Sequence, residues 1–187
     1  MNKVAARSLL HDVHEVLESL GLKHFLIDGT LLGAVREGDF IGHDNDMDMG
    51  VFAEEWTEEI VRDATSRMAD KGISTGHVFG ILDKYFEIAL VRDGVKCDLF
   101  FYRRDPENEA LRIFHAFKNG GRTLPDDVIT YEYPAELIEN IRPMIFQMEH
   151  YPAPADPVAV LVCKYGQDWR VPVKEWDWKY GPHNVRK

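Results

Sequence analysis

Positive charge is scarce in this sequence: 22 Lys and Arg stand against 32 Asp and Glu, a net charge of −10 over 187 residues. That balance argues against a nucleic-acid surface or an anionic membrane face, where clustered cations supply the affinity. Phosphate chemistry stays open, because bound metal ions can bring the positive charge that the side chains lack. Long apolar runs are missing as well. The N-terminal stretch interrupts its apolar residues with charges every few positions, so it has no signal-peptide core, and no run approaches the roughly 20 apolar residues of a membrane span. Cysteine is limited to Cys97 and Cys163, with no CxxC pair. Two such residues exclude a disulfide framework and predict reduced, buried thiols in a cytoplasmic protein. Internal repeats, low-complexity tracts and a clear linker are also lacking, which predicts a single domain over residues 1–187. That length buries a sizeable core without covalent staples.

What is present reads as alternating helices and strands. Leu9, Leu10, Val13, Val16, Leu17 and Leu20 recur at helical spacing, and Gly21 falls where a C-terminal cap belongs. His11 and His14 lie on that helix without the carboxylate of a zinc-protease pattern, so they read as solvated residues. Residues 23–27 form a short apolar strand, 31–36 a short helix, and 54–71 a longer helix with Trp56, Ile60, Val61, Ala64 and Met68 on one stripe. Strands at 85–91 and 95–102 flank Arg92-Asp93-Gly94, a hairpin signal. Beyond a polar loop, 111–117 reads as a strand, 118–121 as a tight turn and the following stretch to 133 as extended and irregular. One or two helical turns fit 134–141, and the prolines at 143, 152 and 154 suggest a connecting loop over 142–155. Asp156, with Pro157 behind it, caps a last helix that ends at Gly166.

The chemistry concentrates between residues 25 and 52. Asp44, Asp46 and Asp48 alternate at the entry to an apolar strand, and a strand points alternate residues to one face. Like charges so placed repel unless a cation sits among them. Upstream, the strand to Ile27 runs through Gly29-Thr30 into a helix, and the unpaired N–H groups at a helix start favour an anion. Thr30 there suits either a cap or a phosphate oxygen, and Arg36 can reach back with a two-pronged fork to a phosphate or an aspartate. Downstream, Asp98 is a lone acid in the apolar strand Cys97-Asp98-Leu99-Phe100-Phe101 and needs a partner. Neighbouring strands lie about 4.8 Å apart, close enough for Asp98 to join Asp46 and Asp48. Three carboxylates beside a phosphate cradle suit two-metal phosphoryl or nucleotidyl transfer with Mg²⁺, or Mn²⁺ in its place. The spacing also begins like a calcium loop, but its sixth position is Met49 where that turn requires glycine. A phosphohydrolase using water, an enzyme moving a nucleoside monophosphate, and a non-catalytic nucleotide-binding module are the remaining alternatives.

Gly29-Thr30-Leu31-Leu32-Gly33-Ala34-Val35-Arg36, then Asp39-Phe40-Ile41 and the run Asp44-x-Asp46-x-Asp48, resemble the signature of the LicD/fukutin-related family of the DNA-polymerase-beta-like nucleotidyltransferase superfamily. Lys164-Tyr165-Gly166 through Trp169 to Pro172 is similar to that family's closing pattern. The resemblance implies an α/β (α+β) fold, a small mixed sheet flanked by helices. It assigns phosphate binding to Gly29 and Thr30, and metal binding and catalysis to Asp46, Asp48 and Asp98. The implied reaction moves phosphocholine or ribitol phosphate from a CDP-linked donor to a glycan or small-molecule hydroxyl. Where the family reads Ile-Pro-Trp-Asp-Asp-Asp, this chain has Ile41-Gly42-His43-Asp44-Asn45-Asp46. The departure falls in the loop beside the acids, where His43, on the opposite strand face from them, suits the lining of a donor pocket better than a zinc site.

Overall fold

A computed structural model describes residues 1–107, 110–116, 128–179 and 181–186. Helix α1 (Lys3–Ser19) starts where the Asn2 side chain accepts from the Val4 and Ala5 N–H groups, and it buries Leu9, Leu10, Val13, Val16 and Leu17. Strand β1 (His24–Leu26) leads into α2 (Asp28–Arg36), and β2 (Asp46–Phe52) follows. A 3-10 turn (Ala53–Glu55) then precedes α3 (Glu58–Asp70). Three strands come next, β3 (Ser74–Ile81), β4 (Tyr85–Arg92) and β5 (Val95–Arg104), and then β6 (Ala110–Ala116) and β7 (Val128–Pro134). The chain closes with α4 (Ala135–Glu139), β8 (Ile141–Phe146), β9 (Glu149–Pro154) and α5 (Pro157–Tyr165).

The main sheet runs β1-β2-β5-β4-β3, with β6 against β5 and β7 against β6. Its pairings are antiparallel except β2 with β5, so this is the mixed sheet flanked by helices that the resemblance implies. The parallel pair matters most, because its register sets Asp48 beside Asp98 and Asp46 beside Lys96. Packing fixes that register from the other side. Met47, Met49 and Val51 point into the core, so a one-residue slip would bury the aspartates and expose the methionines.

Several expected elements differ. The stretch 142–155 is a two-stranded hairpin rather than a loop, with Pro143 paired opposite Pro152. Proline is tolerated there because the pair stands outside the main sheet. Residues from Val128 form a strand, not an irregular segment. The second long helix begins later than its apolar stripe suggests: Thr57 caps it through Ile60 N–H, and Trp56 lies before it, packed at 4.9 Å on the Phe101 ring. β3 was not anticipated, because an exposed edge strand carries little alternation for a sequence to display. The turn expected at 118–121 lies outside the described residues. The hairpin at Asp93-Gly94 is as expected, with both residues at positive φ.

Two features of the core yield predictions. Gly50 lies under the Phe25 ring, and an added Cβ would stand 2.3 Å from that ring and 2.9 Å from Tyr102. Gly50→Ala is therefore expected to cost about 1–3 kcal/mol in chemical denaturation. His24 is buried, donates from Nδ1 to the Leu22 carbonyl at 2.9 Å, and faces His14 Nδ1 through its own Nε2 at 2.7 Å. Burial pulls its pKa down from 6.5 to about 4, so the folded state holds it neutral. The unfolded chain binds the extra proton, so this contribution is intact above pH 6.5 and is lost as pH falls towards 4. The expected loss is roughly 3 kcal/mol. It is read as the difference between the wild-type and His24→Asn denaturation midpoints across that range, since burial raises Asp44 to about 6 with the opposite slope.

Candidate active site

The site is built where the start of α2 meets β2. Asp28 adopts a left-handed backbone at φ 48°, which turns the chain from β1 directly into the helix. Helix α2 thus begins at Asp28, before Thr30, and Ile27 is its N-cap with no side-chain bond. Gly29 N–H donates to Asp48 Oδ2 at 2.8 Å, and Asp48 N–H donates to Thr30 Oγ1 at 2.8 Å. The two groups that the sequence pattern suggests for phosphate both hold Asp48, at the positive end of the helix where a carboxylate is favoured. Thr30 is buried behind the cavity, not exposed within it.

Glycine is needed at position 29. A Cβ there would lie 2.8 Å from Asp44 Oδ2 and 2.9 Å from Asp48 Oδ2, so both carboxylates converge on bare backbone. Asp44 belongs to the cluster although it precedes the strand. Burial raises its carboxyl to about 6, helped by a hydrogen bond with Asp46 and by the Asp46 charge. Asp48 is pushed well up, first by burial and then by the charges of Asp46, Asp28, Asp44 and Asp98.

Opposite these acids, β5 presents Asp98 and Lys96 on the same face. Lys96 Nζ lies 2.6 Å from Asp98 Oδ2 and 3.0 Å from Asp46 Oδ2, so it is the partner that the lone strand acid requires. Burial raises the Asp98 pKa while the Lys96 charge and hydrogen bond oppose it. Asp98 Oδ1 is buried without a hydrogen-bond partner among the described residues. On Lys96, burial acts to lower the pKa, but Asp98 and Asp46 outweigh it and the net shift is upward.

A cavity of about 770 Å³ opens over the cluster. Asp28, on its wall, pairs with the buried Lys164 Nζ at 2.5 Å and accepts from Tyr133 Oη at 3.2 Å. Arg36 also lines it, with Nη2 donating to Glu37 at 2.8 Å and Nη1 to the Trp169 carbonyl at 3.4 Å. Its Nε is buried without a partner among the described residues. His43 reaches the cavity from the loop before β2, and Trp169, Trp176 and Trp178 wall it from the C-terminal segment.

The structure thus gathers Asp46, Asp48, Asp98, Gly29 and Arg36 around one cavity, with Thr30 behind them. The carboxylates lining this cavity, one with a buried and unpartnered oxygen, are hard donors of the kind that suits Mg²⁺ or Mn²⁺. Sequence reasoning missed Lys96, although strand alternation puts position 96 on the same face as 98. It also missed Lys164 and Asp28, whose pairing joins α5 to α2 and leaves no sequence signal. Gly29→Ala is expected to keep native far-UV circular dichroism and thermal cooperativity while displacing Asp44 and Asp48. It should therefore weaken Mn²⁺ binding at least tenfold in calorimetric titration.

Residues 21–156 match the family model described as LicD/FKTN/FKRP, nucleotidyltransferase domain. Human "Ribitol-5-phosphate transferase FKTN" is 26% identical over 183 residues, covering 97% of this chain and 37% of that protein. Mouse "Ribitol 5-phosphate transferase FKRP" is 43% identical over 51 residues, or 27% of this chain and 10% of that protein. A Caenorhabditis elegans protein, T07A5.1, is 29% identical over 189 residues, with 97% of this chain and 47% of that one covered. The chain accordingly spans less than half the length of these relatives. In fold, it is similar to the solution structure of the antibiotic-resistance factor ANT(2'')-Ia, at TM-score 0.50 and 12% identity, covering 92% of this chain and 77% of that one. The family match spans most of the chain, including the strand-turn-helix and the alternating aspartates, and the chain belongs to the LicD/FKTN/FKRP nucleotidyltransferase family.

Proposed function

We propose that this chain is a transferase that moves a phospho-alcohol group, of the ribitol-phosphate or phosphocholine kind, from a CDP-linked donor to a glycan hydroxyl. The observation that carries this reading is the parallel β2–β5 register, which places Asp48 against Asp98 on the floor of one cavity. Family membership and the names of the relatives support the transfer of a phospho-alcohol. Asp46 and Asp48 would hold Mg²⁺ or Mn²⁺, with Asp98 as the third acid. When bound, such an ion offsets the negative charge of the donor pyrophosphate and of the developing transition state.

The remaining steps belong to the chain's own residues. Gly29 N–H and Thr30 Oγ1 hold Asp48 in place, so the acid is preorganised before substrate arrives. Arg36 carries an unused buried N–H beside the cavity and orients the phosphate being moved. The acceptor oxygen forms a bond to that phosphorus as the bond to the CMP leaving group breaks. The acceptor proton passes to Asp98, whose burial raises its proton affinity.

Asp48→Asn is expected to lower Mg²⁺-dependent CMP release from CDP-ribitol or CDP-choline by at least a hundredfold, with the fold retained by circular dichroism. Full activity in both Asp46→Asn and Asp48→Asn would refute the assignment. Pyrophosphate release from a nucleoside triphosphate would indicate nucleotidyl transfer, and CMP release without an acceptor would indicate hydrolysis.

A further inference from the structure

Four aspartates face one another across this site, and the chain itself supplies one of the cations among them. Asp44 and Asp48 converge on Gly29, and Asp46 shares a hydrogen bond with Asp44. Those three carboxyls form one group. The second group lies across the β2–β5 ladder, where Asp46 stands beside Lys96 and Asp48 beside Asp98. There the Lys96 ammonium bridges Asp46 Oδ2 and Asp98 Oδ2 at 3.0 and 2.6 Å. A divalent ion bound at those oxygens would stand at contact distance from this ammonium, and the two like charges would repel each other.

We infer that Lys96 is a built-in cation that takes the place of one metal ion, so that the acid cluster binds a single divalent ion instead of the pair used in two-metal phosphoryl transfer. The inference rests on the metal-dependent reading proposed above. Three features make the position a built one. Lys96 and Asp98 alternate on one strand, so backbone geometry alone aims both side chains at the cluster. The parallel register brings Asp46 to the same point from the neighbouring strand. Asp98 is buried while the Lys96 side chain keeps 38% of its surface exposed, and such a partly buried pair is screened by salt less than a fully exposed one. A lysine held between two acids also differs from a metal in what it offers. It supplies a charge and hydrogen bonds to carboxylate, but it cannot activate an oxygen by coordination, which leaves proton removal to a side chain.

Metal stoichiometry tests this without turnover. Isothermal titration of Mn²⁺, cross-checked by counting free Mn²⁺ by electron paramagnetic resonance, is expected to give one ion for the wild-type chain. Lys96→Met and Lys96→Gln, each confirmed folded by circular dichroism at saturating Mn²⁺, should take two. Lys96→Arg should return the count to one, which a merely structural lysine would not do. Asp48→Asn should lose the wild-type ion. Two ions in the wild type, or one ion in both neutral variants, would overturn the role given to Lys96 while leaving the metal-dependent reading intact. No ion in any of these proteins would overturn both.

Discussion

Mutual repulsion among carboxylates is the constraint on which the rest of this structure depends. Asp44, Asp46, Asp48 and Asp98 meet around one cavity, with Asp28 on its wall; Asp28 and Asp98 are buried and the other three half-buried. Uncompensated charges in such a place cost several kcal/mol each or take up protons. Each compensating group comes from a different element. Gly29 N–H at the start of α2 answers Asp48, Lys96 on β5 answers Asp98 and Asp46, and Lys164 on α5 answers Asp28. Burial first, and then the charges of the neighbouring acids, raise the proton affinities of Asp44 and Asp48. A site with residual negative charge is one that attracts a cation, and the cation in turn admits a phosphate.

Rigidity behind the site follows from packing. The face of β2 opposite the aspartates carries Met47, Met49 and Val51 into the core, and Phe25 and Tyr102 close on Gly50 at the far end of the strand. Helix α1 lies against β5, so the strand that bears Lys96 and Asp98 is backed by an apolar helix face. A carboxylate cluster held on two hydrogen-bonded strands moves less than one on loops. That precision is useful to a reaction in which positioning and charge supply most of the rate.

Where sequence and structure agree, a local rule was sufficient. The hairpin at Asp93-Gly94, the Asp156 cap with Pro157 behind it and the stripe of α1 each depend on neighbours within a few residues. Where they part, the deciding contact is distant or the local cue is absent. The turn between β8 and β9 uses Gln147 and Met148 at positive φ, with neither Gly nor Asn to announce it. Thr30 looks like a cap from its place after Gly29, yet a left-handed Asp28 starts the helix two residues earlier and frees the hydroxyl for Asp48 N–H.

By itself the sequence determined that acids alternate at the mouth of an apolar strand, that a glycine-led helix start precedes them, and that one more acid lies on a later strand. Those facts rest on side-chain period and turn chemistry, which are properties of short segments. Only the tertiary structure decided that β2 and β5 are parallel neighbours in a register that sets Asp48 beside Asp98 and places Lys96 between Asp46 and Asp98. It also decided that Lys164 closes on Asp28 from the other end of the chain. Strand order and register come from burying two faces at once, and no single segment of the sequence contains that information.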